Sequence, residues 1–207
     1  MLKLNLFHTT EDRAMPWEKS FDEDEAVDKA MKVFWEKGFE PSSLAELIAR
    51  TGITRGSLYN AFGGKEQLFI KALLKYDKEN RRAILAELEA MDDPKHAIAV
   101  LFDGIVNETI ADTEKKGCFI VNTVSELATH GEEVNRIIHN GIREFEAFFR
   151  RCIEVAQARN DIPKSLDPTA TAKALLAMVV AIRVLGRGVF AKSDLTTIAG
   201  QALRLLD

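Results

Sequence analysis

The sequence predicts an all-α fold, and three observations carry that expectation. Apolar residues recur every three or four positions over long segments, the helical period, and runs of strict alternation are few. The helix breakers are scarce, 12 Gly and 5 Pro in 207 residues. The segments also begin with helix-start signals. Ser43 stands three before Glu46 in the spacing of a capping box, and Asp93-Pro94 and Asp167-Pro168 read as an N-cap followed by proline at the first helical position. No repeat at a fixed period suggests a solenoid.

Residues 1–20, mixed in composition and broken by Pro16, read as a flexible tail that includes Met15 as an alternative start. A first helix starts in the acidic residues 22–25, where Asp22 or Asp24 caps free amides and negative charge suits the dipole. Val27, Ala30, Met31 and Phe34 share its buried face, and Gly38 ends it. Ser43 opens a short second helix with Leu44, Leu47 and Ile48 inward, which stops at Gly52. Thr54 caps a short third helix carrying Leu58 and Phe62, closed by Gly63-Gly64. A long fourth helix runs over 65–91 with Leu68, Phe69, Ala72, Leu73 and Tyr76 inward. Further helices are expected over 94–113, 117–130, 132–159, 168–190 and 194–206.

Composition sets the first bounds on function. The formal net charge of −4 argues against a nucleic-acid binder if charge is evenly spread. It is not evenly spread. Residues 41–82 hold eight Lys or Arg against four Asp or Glu, while the flanking parts are acidic. No run reaches the roughly 18 consecutive apolar residues of a membrane helix, and no secretion signal is visible. Two cysteines, Cys118 and Cys152, cannot make a disulfide framework, so a reduced, cytoplasmic setting is expected, with no membrane partner. His8, His96, His130 and His139 lack metal-ligand spacing, no H-E-x-x-H occurs, and neither a phosphate-binding lysine loop nor a dinucleotide fingerprint is present. The chain is therefore not expected to be an enzyme, and no cofactor or metal is expected.

The short-helix pair within 43–62 is the most informative segment. Helices of two turns are marginal alone and need a shared core. Helix, glycine turn, helix is the helix-turn-helix arrangement, whose second helix enters the DNA major groove. That helix carries Arg55, Ser57, Tyr59 and Asn60 against an inward Leu58 and Phe62. Arginine pairs bidentately with guanine and asparagine with adenine, while hydroxyls suit phosphate. Gly56 would let the helix approach the DNA backbone, and Lys65 stands where its charge and helix-end amides both face phosphate.

The runs Phe34-Trp35-Glu36-Lys37-Gly38-Phe39-Glu40 and Ser42-Ser43-Leu44-Ala45-Glu46-Leu47, then Gly52-Ile53-Thr54-Arg55-Gly56-Ser57-Leu58-Tyr59-Asn60-Ala61-Phe62 and Gly64-Lys65-Glu66-Gln67-Leu68-Phe69, resemble TetR-family transcriptional regulators. Ile48 and Ala61 depart from the alanine and histidine many members have there, and Ala61 removes one phosphate contact. The resemblance implies a homodimer binding a palindromic double-stranded DNA operator and released by a small-molecule effector. It implies a DNA-binding domain over 21–80 and an effector-binding and dimerisation domain over 81–207. DNA contacts would fall on Ser43, Thr54, Arg55, Gly56, Ser57, Tyr59, Asn60 and Lys65.

Within 81–207, polar residues inside apolar runs are the effector-pocket candidates. Phe102, Cys118, Asn122, Glu126, Phe148 and Arg183 are the main set, with Asn107, Ser125, Phe145 and Phe149 beside them. Gly117-Cys118 resembles an element of a TetR subgroup with members that respond to electrophiles. A cysteine at a helix N-terminus next to Lys115 and Lys116 would favour thiolate, so a cysteine-sensing repressor is one alternative. A helical binding protein with a degenerate head is another. The run 170–188, apolar nearly all round and rich in Ala and Gly, predicts burial against a second subunit.

Overall fold

The computed structural model describes residues 21–207, so the expected tail and Met15 lie outside the described residues. Ten α-helices follow in order: α1 (Glu23–Lys37), α2 (Leu44–Thr51), α3 (Arg55–Phe62), α4 (Lys65–Tyr76), α5 (Ala83–Glu89), α6 (Pro94–Ala111), α7 (Phe119–Ser125), α8 (Glu132–Arg159), α9 (Pro168–Leu185) and α10 (Lys192–Arg204). No strand occurs among the described residues. The all-α expectation holds, and most expected helices sit within a few residues of their places.

Local chemistry places the helix starts. Asp22 Oδ1 accepts from the amides of Asp24 and Glu25, Ser43 Oγ from Glu46 and Thr54 Oγ1 from Ser57. Asp93 and Asp167 cap α6 and α9 just before their prolines. Gly52 ends α2 at φ 75°, a left-handed turn that reverses the chain into α3.

Three boundaries differ from the periodic reading. The first is inside the long fourth helix. α4 and α5 are joined without a break by a π-helical stretch, Asp77–Arg82. Its i→i+5 bonding returns the fifth residue on to a place above the first. Arg82 as well as Arg81 therefore reaches the buried Asp77, with Arg81 Nε at 2.5 Å and Arg82 Nε at 3.0 Å. The second is the helix expected over 117–130. It ends at Ser125 and resumes as one 3-10 turn, Leu127–Thr129, because the Glu126 backbone leaves the helical region. The third is α9, which stops at Leu185. Gly186 is wedged under α6 and α10, where a Cβ would collide with Thr109 and press on Leu195.

The apolar side chains form two cores. One fills the head (α1–α4) with Ala30, Phe34, Leu47, Leu58, Leu68 and Phe69, all at most 1 % exposed. Ile48 and Ala61, the two departures from the family pattern, pack on it without breaking the head. The same core takes in Phe119 and Ile120 of α7 and Val134 and Ile138 of α8. The other core lies among α5, α6, α8, α9 and α10, around Phe102, Phe148, Phe149, Ile153 and Leu175. The head is thus seated on α7 and α8, and Phe69 is the central ring. It meets Phe34, Phe39 and Phe119 edge-on at 5.1–5.4 Å between centroids and stacks on His130 at 5.0 Å.

Truncating that ring removes contacts from both sides of the seat. Phe69→Ala is expected to lower unfolding stability by about 3–5 kcal/mol, read by urea denaturation followed by circular dichroism. A loss below ~1 kcal/mol would show that the seat contributes little.

Candidate DNA-binding face and effector cavity

The residues of α3 divide as the helical period requires. Leu58 and Phe62 turn into the head core, and Arg55, Gly56, Tyr59 and Asn60 face outward. Tyr59 is 47 % exposed, unusual for a ring of that size, and the Arg55 guanidinium lies 5.9 Å from its centroid. The Thr54 and Ser57 hydroxyls bond each other at 2.9 Å at the start of the helix, and Ser43 is exposed at the start of α2. A Cβ on Gly56 would meet nothing nearer than 3.9 Å, so packing within the chain does not require glycine there. Seven of the eight expected contact residues therefore lie at the exposed ends and outer face of the short-helix pair. Lys65 differs. Its ammonium folds back over the Phe39 ring, 4.3 Å from the centroid, and donates to the Glu40 carbonyl at 3.3 Å.

The basic surplus of 41–82 is partly spent inside the molecule. Arg50 pairs with Glu36, Lys75 with Asp28 and Glu79, and Arg81 and Arg82 with Asp77 and Glu144. Arg55 and Lys65 have no carboxylate partner among the described residues. Lys71 and Lys78 are likewise without a carboxylate partner among the described residues, so the charge left for a partner runs from α3 along α4 into the stretch that follows it.

A cavity of about 80 Å³ opens in the body beneath the end of α4. Its walls are apolar, from Leu85, Leu101, Ile105, Ile142, Phe145, Leu176 and Val179. Its polar groups are Tyr76, Asn80, Arg81, Glu108, Cys118 and Arg183. Of the expected pocket residues, Cys118 and Arg183 border it, as does Phe145. The others do not. Phe102 and Phe148 are fully buried against Phe149 behind the wall, and Phe148 borders a separate recess beside α5. Helical spacing alone could not separate a cavity wall from the layer behind it. Asn107 and Ser125 are exposed to solvent.

Asn122 and Glu126 sit in a second, polar recess between head and body. Asn122 Nδ2 donates to the Lys116 carbonyl at 2.7 Å and its Oδ1 accepts from Arg187 at 3.2 Å. Glu126 Oε2 accepts from the Phe39 amide at 3.3 Å, just past α1. The Glu126 bond crosses the seam, while Asn122 lines the seam recess and bonds only within the body, and α7 points this face at the head because Phe119 and Ile120 must point into the core. Sequence reasoning missed Tyr76, Asn80, Arg81 and Glu108 as cavity residues. Only Tyr76 left a signal, since a buried phenol needs a partner.

Cys118 is the N-cap residue of α7, half-buried, and its sulfur receives the Tyr76 hydroxyl at 3.6 Å. Burial, then the neighbouring Cys118, pushes the Tyr76 phenol well above its usual range, so the ring stays a donor. Of the flanking lysines, Lys116 is engaged elsewhere. Lys116 pairs with Glu114 and lies over the Trp35 ring at 5.3 Å, while Arg183 borders the same cavity as Cys118. Gly117 is held at φ 69°, where a Cβ would press on Arg187 at 2.8 Å. Its carbonyl accepts from the Trp35 indole at 3.0 Å. Burial pushes the Cys152 thiol up to about 11, which disfavours its thiolate near neutral pH.

The comparisons with known proteins agree with this anatomy. Residues 26–72 match the model described as bacterial regulatory proteins, tetR family, and residues 94–187 match the tetracyclin repressor-like C-terminal domain. The chain belongs to the TetR family. It is a DNA-binding regulator of transcription and not an enzyme. It is 32 % identical over 190 residues to the HTH-type transcriptional repressor ComR of Escherichia coli (strain K12), with 90 % of each chain covered. It is 34 % identical over 131 residues to an uncharacterized HTH-type regulator, YezE, of Bacillus subtilis (strain 168), covering 63 % of this chain and 68 % of the relative. A solved TetR-family structure, a cysteine mutant of CifR with a 26-base-pair operator, superposes with a TM-score of 0.79 at 28 % identity. That likeness covers 91 % of this chain and 98 % of CifR.

The seam carries a titratable group. His130 has a side chain only 1 % exposed, between Phe39 and Phe69, with Nε2 at 3.8 Å from Glu126. Burial lowers its pKa, with Glu126 pulling the other way. A depressed histidine favours the fold while neutral, so its contribution is whole above the unfolded pKa of about 6.5 and shrinks as pH falls below it. The melting temperature is expected to fall as pH drops from about 7 to about 5.5, and to fall less in His130→Phe. Parallel pH profiles for the two proteins would show that His130 plays no part.

Proposed function

We propose that this TetR-family member is a homodimeric, cytoplasmic repressor that holds a palindromic operator through α2 and α3 and lets go when a small molecule fills the body cavity. The observation that carries the operator reading is the outward face of α3. A large exposed ring, an unpaired arginine and an asparagine stand on a helix whose other side is locked into the core. In this reading Arg55 and Asn60 read base edges, Ser43, Thr54, Ser57 and Tyr59 hold phosphates, and Gly56 admits the backbone. Lys65 would swing off Phe39 to reach phosphate. Residues 21–80 form the DNA-binding unit and 81–207 the effector and dimer unit.

The dimer reading rests on α9. It is long and apolar enough by composition to cross a membrane, yet it packs in the body with only 33 % of its length buried. Val184 near its C-terminal end and Val189 and Phe190 just beyond it are exposed, at 44 %, 73 % and 38 %. A second copy would cover this face and set two heads one half-site spacing apart.

Release follows from what the cavity touches. Tyr76 ends α4 on the cavity side and packs edge-on against Trp35 of α1 at 4.9 Å. A molecule that displaces Tyr76 moves the first and last helices of the head together. A second reading makes Cys118 the trigger, because its sulfur borders the cavity and bonds the same Tyr76 hydroxyl.

Fluorescence anisotropy with inverted repeats from DNA upstream of its coding sequence tests the operator reading. Binding should weaken steeply with salt, and Arg55→Ala should relax discrimination at one base step by about 1–3 kcal/mol. Absence of salt-sensitive binding to any such repeat would refute it. For the trigger, Cys118→Ser should abolish release by an electrophile such as N-ethylmaleimide while leaving operator affinity intact. Release that survives in this variant assigns the response to another group.

A further inference from the structure

The turn from α1 into α2 hangs on one carboxylate. Glu126 Oε2 accepts from the Phe39 amide at 3.3 Å, and its Oε1 fills the space beside Gly38, where a Cβ would collide with it. The fully buried Ser42 closes the same turn by donating its hydroxyl to the Gly38 carbonyl at 2.6 Å, and Ser43 and α2 follow directly. His130 stands behind the turn, with its ring 5.1 Å from that of Phe39 and stacked on Phe69 at 5.0 Å. Its Nε2 is buried, has no hydrogen-bond partner and lies 3.8 Å from the same Glu126 Oε2. The charged groups that act on it are Glu126 at the end of α7, Glu40 of the turn itself and Glu66 of α4, while the Lys65 ammonium covers the Phe39 ring at 4.3 Å. A buried imidazole nitrogen without a partner costs free energy in either tautomer. Once the ring is protonated that nitrogen is a donor, and a movement of about 1 Å brings it to the oxygen that holds Phe39.

We propose that His130 makes operator binding acid-sensitive: when the ring takes a proton from solvent, Nε2–H bonds Glu126 Oε2, the Phe39 amide loses its acceptor, and the turn that presents Ser43 and α2 loosens. The proposal rests on the operator reading of α2 and α3. Burial opposes the charged ring more than the three carboxylates favour it. The closed seam therefore keeps His130 neutral, and protonation goes with a seam that has let water in. The sign follows from that order. The hold on the turn is whole above the unperturbed histidine pKa of about 6.5 and weakens as pH falls below it. One pH unit below that value, linkage limits the loss to about tenfold per head.

The test takes the full chain from about pH 7.5 to about pH 5.5, by fluorescence anisotropy with an inverted-repeat duplex from the upstream DNA and by NMR of the His130 ring and the Phe39 amide. Operator affinity should fall at least about threefold more in the unaltered protein than in His130→Phe, which keeps a ring against Phe39 and Phe69 and takes no proton. The Phe39 amide shift should move with the same midpoint as the His130 ring. In Glu126→Gln the midpoint should move to lower pH, because the nearest carboxylate that favours the charged ring is gone; a purely packing role for His130 would move neither. The NMR titration of the unaltered protein needs no variant, so it decides the matter if His130→Phe fails to fold. Equal pH dependence in a folded His130→Phe, a Phe39 amide that stays put while His130 titrates, or a ring that stays neutral down to about pH 5.5 overturns the proposal and leaves the operator reading standing. Absence of binding at about pH 7.5, where His130 is neutral, overturns the operator reading and this proposal with it.

Discussion

The structure depends on one shared surface, the inner face of α4. Phe69 is packed by rings from α1, α7 and the turn before α8, and Tyr76, two turns on, is packed by Trp35 and Phe119. The same helix therefore belongs to the head core and lines the body cavity. A four-helix head of this size buries little apolar surface by itself. The head core is completed by residues of α7 and α8, which seats the head directly on the body. Rings in edge-on contact interlock, so the positions of Tyr76 and Trp35 are set together.

Electrostatics fixes where that coupling is stiff. Asp77 is a carboxylate buried at 5 % exposure, and burial of an unpaired charge there would be prohibitive. Two arginines answer it, and the π-helical turn is the backbone form that lets both reach. Glu144 of α8 ties the same arginines to the body. The rod from α4 into α5 is thus pinned at the cavity rim, while the head end is held by apolar contact and by the Glu126–Phe39 and Trp35–Gly117 hydrogen bonds.

The two short helices of the head are built differently. α2 and α3 are eight residues each, below the length at which helices persist alone. Side-chain caps at Ser43 and Thr54 satisfy their first amides, Gly52 makes the reversal between them, and Leu47, Leu58 and Phe62 anchor them. That economy leaves the outer face of α3 free of structural duty, so Arg55, Tyr59 and Asn60 can be chosen for a partner.

The sequence by itself determined the helical class, the order of the helices and the helix-turn-helix head, because caps, glycine stops and apolar period are local signals read one segment at a time. It also located the outward residues of α3, since inward and outward follow from period once Leu58 and Phe62 are assigned to the core. Only the tertiary structure decided the cavity. Phe102, Phe148, Asn122 and Glu126 have the residue types of pocket walls, but two belong to the solid core and two to the seam, because depth behind a surface has no signature along the chain. Tyr76 and Cys118 are 42 residues apart in sequence and meet at 3.6 Å, and Arg81 and Glu144 meet across 63 positions. The π-helical turn was equally hidden, since its cause is a carboxylate that becomes buried only when α8 packs beside it. The net charge of −4 shows the same division: its uneven spread was legible, whereas the pairing that leaves Arg55 and Lys65 without carboxylates required the folded chain.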